Sequence, residues 1–238
     1  MADRKRILLK LSGELFREAD DILAPGPMRA YATAIHQLYQ AGLQVAVVLG
    51  GGNILRGRNW ADHPHRADVD HIGMLATVLN AALFKLALED VGCPARVFSA
   101  RPCQPVAELF ERRPAIAALD RREVVLLAGG TGNPFFSTDS AAALRAAELD
   151  CDCLYKGTLV DGVYDSDPHR NPDARRFDTI SFDEVLRRDL RVVDGAAVAI
   201  CRDAGMPVVV FDSTDPAKLS GIADGSLRCT VVGPTDPD

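Results

Sequence analysis

Glycine-rich loops after apolar runs are the part of this chain best suited to chemistry on anions. The run Val124–Ala128 enters a loop that holds Gly129, Gly130 and Gly132, and the loop opens into an Ala-rich segment that starts at Thr138. Glycine lets the backbone approach a ligand closely, and the free N–H groups at a helix start attract phosphate. The same residues also fit a plain turn in which Thr138, Asp139 or Ser140 caps the helix. On these residues alone both interpretations stay open.

Two further loops of this kind follow predicted strands. The run 43–49 leads into Gly50, Gly51 and Gly52, and three consecutive glycines forfeit side-chain packing, which favours a nucleotide loop over a plain turn. The third loop, 157–168, brings Gly, Asp and an aromatic residue to the end of a strand. Its Asp161-Gly162 pair also predicts a β-hairpin at 160–163, which would present Tyr164 to a flat base.

Lysines stand at the ends of two predicted strands. Lys10 lies near the end of 6–11, and Lys156 ends 152–156. Ligands of parallel sheets bind beyond the carboxyl ends of the strands, so we expect the lysines and the glycine loops to converge on one or two phosphate chains. The sequence lacks the G-x-x-x-x-G-K-[ST], G-x-G-x-x-G and G-x-S-x-G patterns, which argues against a P-loop enzyme, a dinucleotide oxidoreductase and a serine hydrolase.

Strand and helix patterns alternate along the whole chain. This alternation predicts an α/β fold, a three-layer αβα sandwich with a mostly parallel central sheet, as one continuous domain over 1–238. A Ser181-Phe182-Asp183-Glu184 capping box predicts a short helix start. The other predicted strands are 95–99, 207–211 and 229–232, and the predicted helices are 28–40, 70–90, one within 105–113, one from 138, 194–204 and 218–223.

Composition excludes several classes of protein. The 238 residues carry a net charge of −6, which does not favour a nucleic-acid-binding surface. The basic start at residues 1–6 leads into a short apolar run broken by Lys10, unlike a signal peptide. The apolar segment 72–88 contains Thr77, Asn80 and Lys85, which argues against a membrane span. Six scattered cysteines then fit reduced thiols in a cytoplasmic protein.

The predicted helix 70–90 is apolar nearly all round. Such a helix has to be buried on more than one side. In a chain of this size, a second subunit is an economical way to cover it, so the sequence predicts a homo-oligomer interface on this helix.

Five blocks of sequence together resemble the bacterial uridylate kinases of the amino-acid kinase superfamily. The blocks are KRILLKLSGE (5–14), VVLGGGNILRG (47–57), DHIGMLATVLN (70–80), LLAGGTGNPFFSTDSAAALRAAE (126–148) and KGTLVDGVYDSDP (156–168). The resemblance implies a cytoplasmic homohexamer that transfers the γ-phosphoryl group of ATP reversibly to UMP in pyrimidine nucleotide synthesis. It also implies Mg²⁺ bound through the ATP phosphates, with no metal site of the protein's own, and inhibition by UTP.

The resemblance also assigns roles to individual positions. It implies a catalytic centre of Lys10, Asp139 and Lys156. It implies contacts to ATP at Lys10, Leu11, Ser12, Gly13, Gly52, Arg56, Thr158, Tyr164 and Asp167. It implies contacts to UMP at Gly51, Asp70, Thr131, Gly132, Asn133, Pro134, Phe135, Phe136, Ser137 and Thr138. From the residues themselves, Asp70 also fits a helix cap, and Phe135 and Phe136 also fit the core.

Two departures from the family pattern bear on ligand binding. Leu159 stands where many relatives have lysine, so a positive charge near ATP is missing. The loop 16–26 is acidic where GTP-activated relatives carry a glycine-rich loop, so activation by GTP is not expected. Two other functions stay open, a nucleotide-binding storage container without catalysis and a kinase of carboxylate or carbamate acceptors.

Overall fold

One mixed sheet organises the described residues, which are 5–60, 62–190 and 192–233 of a computed structural model. Residues 1–4 of the basic start lie outside these ranges. The strands are β1 (Arg6–Leu11), β2 (Gln44–Leu49), β3 (Ala95–Ser99), β4 (Glu108–Leu109), β5 (Val124–Ala128), β6 (Cys153–Thr158), β7 (Thr179–Ser181), β8 (Val208–Asp212) and β9 (Cys229–Gly233). They lie in the order β4-β3-β5-β2-β1-β6-β8-β9-β7. Within the described ranges only β8 and β9 pair antiparallel, which confirms the predicted mostly parallel α/β sheet.

Helices cover both faces of this sheet. They are α1 (Pro25–Gln40), α2 (Arg66–Asp90), α3 (Arg112–Asp120), α4 (Thr138–Glu148), α5 (Phe182–Arg187), α6 (Gly195–Asp203) and α7 (Gly221–Asp224). One core joins Ile7 of β1 to Ile35 of α1 and Phe84 of α2. A second core joins Leu8 of β1 to α4 and α6 on the opposite face. Because its central strands are buried on both faces, the sheet has the continuous apolar runs seen in the sequence.

Helix α1 begins three residues before the predicted start. Pro25 occupies its first position, where the fixed φ of proline suits a helix and the missing N–H costs nothing. The Pro-Gly-Pro run at 25–27 therefore forms the first turn of α1. Helix α2 likewise starts at Arg66, before the predicted Asp70.

The predicted helix within 105–113 is wrong. Residues 108–109 instead pair with β3, and Phe110 N continues the ladder by donating to Ser99 O at 2.8 Å. The helix follows as α3, whose buried Ala115, Ala118 and Leu119 recur at helical spacing. Pro114 is tolerated there because it lies in the first turn.

The predicted hairpin at 160–163 is also wrong. Val163 N donates to Thr230 Oγ1 of β9 at 2.9 Å instead of to a hairpin partner. A Cβ on Gly162 would lie 2.3 Å from the same oxygen, so the close approach of Thr230 explains why residue 162 is a glycine. Strand β7 was not predicted, because three edge residues give too short a pattern.

The boundaries of the other helices and strands lie close to those predicted from the sequence. Ser181 caps α5, and its side chain accepts from Glu184 N at 3.2 Å. The predicted last helix is divided between a 3₁₀ turn, Pro216–Ser220, and the short α7.

Candidate active site

The register of the sheet brings two lysines side by side. Strands β1 and β6 are parallel neighbours, and Lys10 lies opposite Lys156. Side chains two residues apart share a face, so both lysines lie on the face where Leu8 and Leu154 pack against α4. The expected convergence of the two lysines is therefore present.

The first turn of α4 supplies a carboxylate between these lysines. Ser137 caps the helix and accepts from Asp139 N at 3.0 Å and Ser140 N at 3.1 Å, so a cap at Thr138, Asp139 or Ser140 is wrong. The Asp139 side chain therefore takes no part in capping and binds the two lysines instead. Its Oδ1 lies 2.9 Å from Lys10 Nζ, and its Oδ2 accepts from Lys156 Nζ.

This cluster is nearly dry. The side chains of Lys10, Asp139 and Lys156 are 14%, 13% and 11% exposed. Burial raises the pKa of Asp139, but the charges of Lys10 and Lys156 outweigh it and hold that pKa below its ordinary value. Burial lowers the pKa of Lys156, with Asp139 opposing the shift. With two cations and one anion, the cluster favours an added anion such as phosphate.

Asp194 fixes the position of α4 from a neighbouring helix. It caps α6 by accepting from Ala196 N at 2.8 Å. Its Oδ2 also accepts from Ser140 Oγ at 2.7 Å and from Ser137 Oγ. Burial raises the pKa of Asp194, while these hydrogen bonds bring it below its ordinary value. From the sequence, Asp194 is expected only at a helix start, and no pattern along the chain reveals its contact with α4.

A cleft of about 580 Å³ opens beside the glycine loops. Of the residues assigned to UMP, Gly51, Asp70, Phe136, Ser137 and Thr138 line it, and of those assigned to ATP, Gly52 and Arg56 line it. The remaining loop residues Thr131, Gly132, Asn133, Pro134 and Phe135 are not part of that lining. Gly130, in a predicted glycine loop, and Leu159, expected near ATP, also line the cleft. Sequence reasoning missed the other lining residues, which are Glu14, Leu55, Val69, Gly73, Met74 and Thr77.

Asp70 ties helix α2 to the loop before α4. Its Oδ2 accepts from Phe135 N at 2.8 Å, and its Oδ1 accepts from Arg66 Nε at 2.9 Å. Because α2 begins at Arg66, Asp70 lies inside the helix and the interpretation as a cap is wrong. Phe135 and Phe136 are 71% and 53% exposed, so their interpretation as core residues is wrong as well.

The turn after β1 meets the loop after β2. A Cβ on Gly13 would lie 2.3 Å from Asn53 Oδ1 and 2.4 Å from Gly50 O, so only glycine fits. Glu14 continues this turn and holds the Arg56 guanidinium, with Arg56 Nε donating to Oε1 at 2.8 Å and Nη2 to Oε2 at 2.9 Å. Leu11, Ser12 and Gly13 thus stand at the carboxyl end of β1 beside the loop that carries Gly52.

A second cavity of about 670 Å³ adjoins the loop after β6. Of Thr158, Tyr164 and Asp167, the ATP contacts that the resemblance assigns to this loop, Tyr164 lines the cavity, and its hydroxyl donates to Asp161 Oδ1 at 2.6 Å. Thr158 Oγ1 donates to Val160 O at 2.6 Å, and Asp167 Oδ1 accepts from His169 N at 2.9 Å, outside the lining. Leu159 is 72% exposed and lines both cavities, so they meet at this side chain.

Cysteines take no part in this site. All six are free thiols. Burial raises the pKa of Cys93 to about 11 and that of Cys151, Cys153 and Cys201 to about 12, which makes these thiols poor nucleophiles. Among the described residues, no group of three or more His, Cys, Asp or Glu side chains is arranged to hold a metal ion.

Comparison with known proteins gives one consistent result. The model of the amino acid kinase family matches residues 5–212. Uridylate kinase of Azorhizobium caulinodans is 48% identical over 231 residues, covering 96% of this chain and 97% of the relative. Uridylate kinase of Erythrobacter litoralis is 47% identical over 234 residues, covering 98% of each chain.

Solved structures agree with the sequence relatives. The crystal structure of UMP kinase from Ureaplasma parvum superposes with a TM-score of 0.92 at 32% identity, covering 97% of this chain and 99% of the other. UMP kinase from Bacillus anthracis gives a TM-score of 0.93 at 31% identity, covering 98% and 97%. The chain belongs to the amino acid kinase family and, within it, to the uridylate kinases.

Proposed function

We propose that this protein transfers the γ-phosphoryl group of Mg²⁺-bound ATP to UMP, giving ADP and UDP, as a reversible step of pyrimidine nucleotide synthesis in the cytoplasm. The observation that carries the proposal is the Lys10–Asp139–Lys156 cluster at the carboxyl ends of β1 and β6. The uridylate kinase relatives support UMP as the acceptor.

The reaction needs charge neutralisation more than proton transfer. An oxygen of the UMP phosphate attacks the γ-phosphorus, the bond from that phosphorus to the bridging oxygen breaks, and ADP keeps the electron pair. The second pKa of a phosphate monoester is about 6, so the attacking oxygen is already deprotonated near neutral pH and no general base is required. Lys10 and Lys156 offset charge on the transferring group, and Asp139 holds both ammonium groups in place.

In this arrangement UMP and the ATP phosphates share the first cleft, and the ATP nucleoside lies in the second cavity. Donor phosphates contact Lys10, Leu11, Ser12 and Gly13 with Gly52 and Arg56, and the ATP nucleoside occupies the second cavity near Thr158, Tyr164 and Asp167. UMP occupies the cleft between Gly51, Asp70 and the loop 131–138. Mg²⁺ enters with ATP as part of the donor, since both oxygens of Asp139 already bind lysines.

A panel of acceptors tests this proposal. ADP release is measured with ATP, Mg²⁺ and UMP, CMP, glutamate or carbamate. We expect turnover with UMP and little with the others. Turnover with glutamate or carbamate would assign a different kinase reaction, whereas ATP binding without turnover on any acceptor would favour a storage container.

We further propose a homohexamer that uses α2 as a subunit interface and is inhibited by UTP. Five apolar side chains at helical spacing stay more than a third exposed along this helix, namely Ile72, Leu75, Leu79, Leu83 and Leu86. Helix α2 is long and apolar enough by composition to cross a membrane. Its opposite face, however, buries Thr77 and Asn80 against protein loops, as in a core helix of a folded protein. We therefore infer that another subunit, and not a membrane, covers the five exposed apolar side chains.

A further inference from the structure

Helix α2 contacts two of the glycine loops through two buried polar side chains. Thr77 and Asn80 lie about one turn apart and are 6% and 0% exposed. Neither belongs to the catalytic cluster, and neither was assigned a ligand by the resemblance. Buried polar groups in the middle of an otherwise apolar helix require a specific partner.

Thr77 holds the loop that follows β5. Its Oγ1 accepts from Gly129 N at 2.8 Å and donates to Met74 O at 2.7 Å, so its only proton is already used. Gly129 O in turn accepts from Gly132 N at 3.0 Å. The single hydroxyl therefore anchors the start of the segment that reaches Phe136, Ser137 and Thr138 in the cleft.

Asn80 holds the loop that follows β2. Its Nδ2 donates to Gly50 O at 2.7 Å and to Asn53 Oδ1 at 2.8 Å, and its Oδ1 accepts from Asn53 Nδ2 at 3.0 Å. A Cβ on Gly51 would lie only 2.8 Å from Ala76 Cβ, so this loop packs directly on α2. Asn80 thereby fixes the loop that carries Gly52 and leads to Arg56.

We propose that Thr77 and Asn80 are separate positioning residues, Thr77 for the acceptor loop and Asn80 for the donor-phosphate loop. The proposal rests on the proposed function, because the substrate of each loop comes from it. The two residues use different partners and share none of their hydrogen bonds. Substitution of Thr77 therefore impairs the use of UMP and spares ATP. Substitution of Asn80 impairs the use of ATP more than that of UMP, because its loop carries Gly52 and leads to Arg56 on the ATP side and has only Gly51 on the UMP side. A general loss of folding would not produce these opposite biases.

Steady-state kinetics with each substrate varied in turn tests this inference. We expect Thr77→Val to raise the KM for UMP about tenfold, with the KM for ATP within about twofold, because a buried N–H loses its acceptor. Thr77→Ser keeps the hydroxyl and restores the wild-type KM. We expect Asn80→Leu to show the opposite bias, raising the KM for ATP about tenfold and the KM for UMP by less, because Gly51 lies in the same loop.

The outcomes separate the inference from the proposed function. If the wild-type protein turns over UMP but both variants raise the two KM values equally, the inference is wrong. If the wild-type protein does not turn over UMP at all, the proposed function fails first. Faster amide exchange of residues 129–132 in ligand-free Thr77→Val supports the anchoring, and unchanged exchange contradicts it.

A second variant covers the case in which Asn80→Leu does not fold. Asn53→Ser removes the same amide pair from the loop side, together with the hydrogen bond from Asn53 Nδ2 to Ile22 O, and leaves α2 intact. We expect it to raise the KM for ATP more than the KM for UMP and to reduce the thermal stabilisation by ATP more than that by UMP. An equal loss of stabilisation by both nucleotides overturns the assignment of Asn80 to the donor loop.

Discussion

Lys10 and Lys156 are like charges placed directly opposite each other on neighbouring strands, an arrangement that is unfavourable on its own. Asp139 offsets it from the first turn of α4, where the helix dipole also favours an anion. Three side chains thus form a stable group with one positive charge in excess. In the proposed reaction, this excess positive charge attracts the nucleotide phosphates.

Replacement of Lys10 separates catalysis from binding. We expect Lys10→Ala to lower kcat by about a hundredfold or more, because charge on the transferring group loses a preorganised partner. UMP binding changes little, because the UMP cleft is built by other residues. The matched control is Lys5→Ala, since Lys5 Nζ lies 3.5 Å from the Tyr155 hydroxyl and outside the cluster. Weaker UMP binding with an unchanged kcat would refute a catalytic role for Lys10.

At the scale of elements, the start of α4 is held by α6. Asp194 joins the two helices because it caps α6 and accepts hydrogen bonds from the hydroxyl groups of Ser137 and Ser140 at the start of α4. Asp139 lies two residues after Ser137. A shift in the contact between Asp194 and the start of α4 therefore also shifts the Asp139 carboxylate away from its place between the two lysines. Helix packing therefore sets the geometry of the catalytic cluster.

Loss of Asp194 is expected to affect both stability and turnover. Asp194→Ala removes a helix cap and two side-chain hydrogen bonds, so the free energy of unfolding falls by about 1–3 kcal/mol. We expect kcat to fall about tenfold as well, as misplacement of reacting groups predicts. Asp215→Ala is the control, because Asp215 caps the 3₁₀ turn at Pro216–Ser220 and should lower stability alone. Thermal unfolding and kcat are measured together, and a stability loss without a kcat change contradicts the role of Asp194.

Sequence patterns predicted the elements that carry the site better than the contacts between them. Glycine after apolar runs marked the loops at 50–52 and 129–132, and the Ala-rich segment from Thr138 marked α4. The convergence of Lys10 and Lys156 was predicted, but not that they lie directly opposite each other, because strands buried on both faces have no alternation to set their register. The Asp194 contacts join segments more than fifty residues apart and leave no local pattern. Helix α3 was misplaced because the short strand β4 resembles the start of a helix.

At the scale of the whole molecule, α2 lies between the candidate site and the proposed subunit interface. Its exposed face carries a row of apolar side chains, the leucine row, formed by Ile72, Leu75, Leu79, Leu83 and Leu86. Its buried face holds two glycine loops through Thr77 and Asn80. The sequence indicated that this helix is covered on more than one side. In the isolated chain one side is covered, and the proposed second subunit covers the other.

A charge in the leucine row should break the assembly. Leu79 is 52% exposed at the centre of the row, and we expect Leu79→Glu to yield smaller species because an interface cannot bury an unpaired carboxylate without cost. Leu109→Glu is the matched control, since Leu109 is 47% exposed on β4. Sedimentation at micromolar concentration measures the mass. A wild-type protein that sediments as a monomer would contradict the proposed interface.

The most direct test of the central claim follows the fate of the transferred phosphate. ATP labelled in the γ-phosphoryl group is mixed with UMP, Mg²⁺ and the protein, and the nucleotides are separated. We predict that the label appears in UDP with wild-type protein and that Asp139→Asn, which keeps the shape but loses the charge between Lys10 and Lys156, forms labelled UDP at least about a hundredfold more slowly. Label found only in inorganic phosphate or left in ATP, or an Asp139→Asn variant as fast as wild type, would contradict the account.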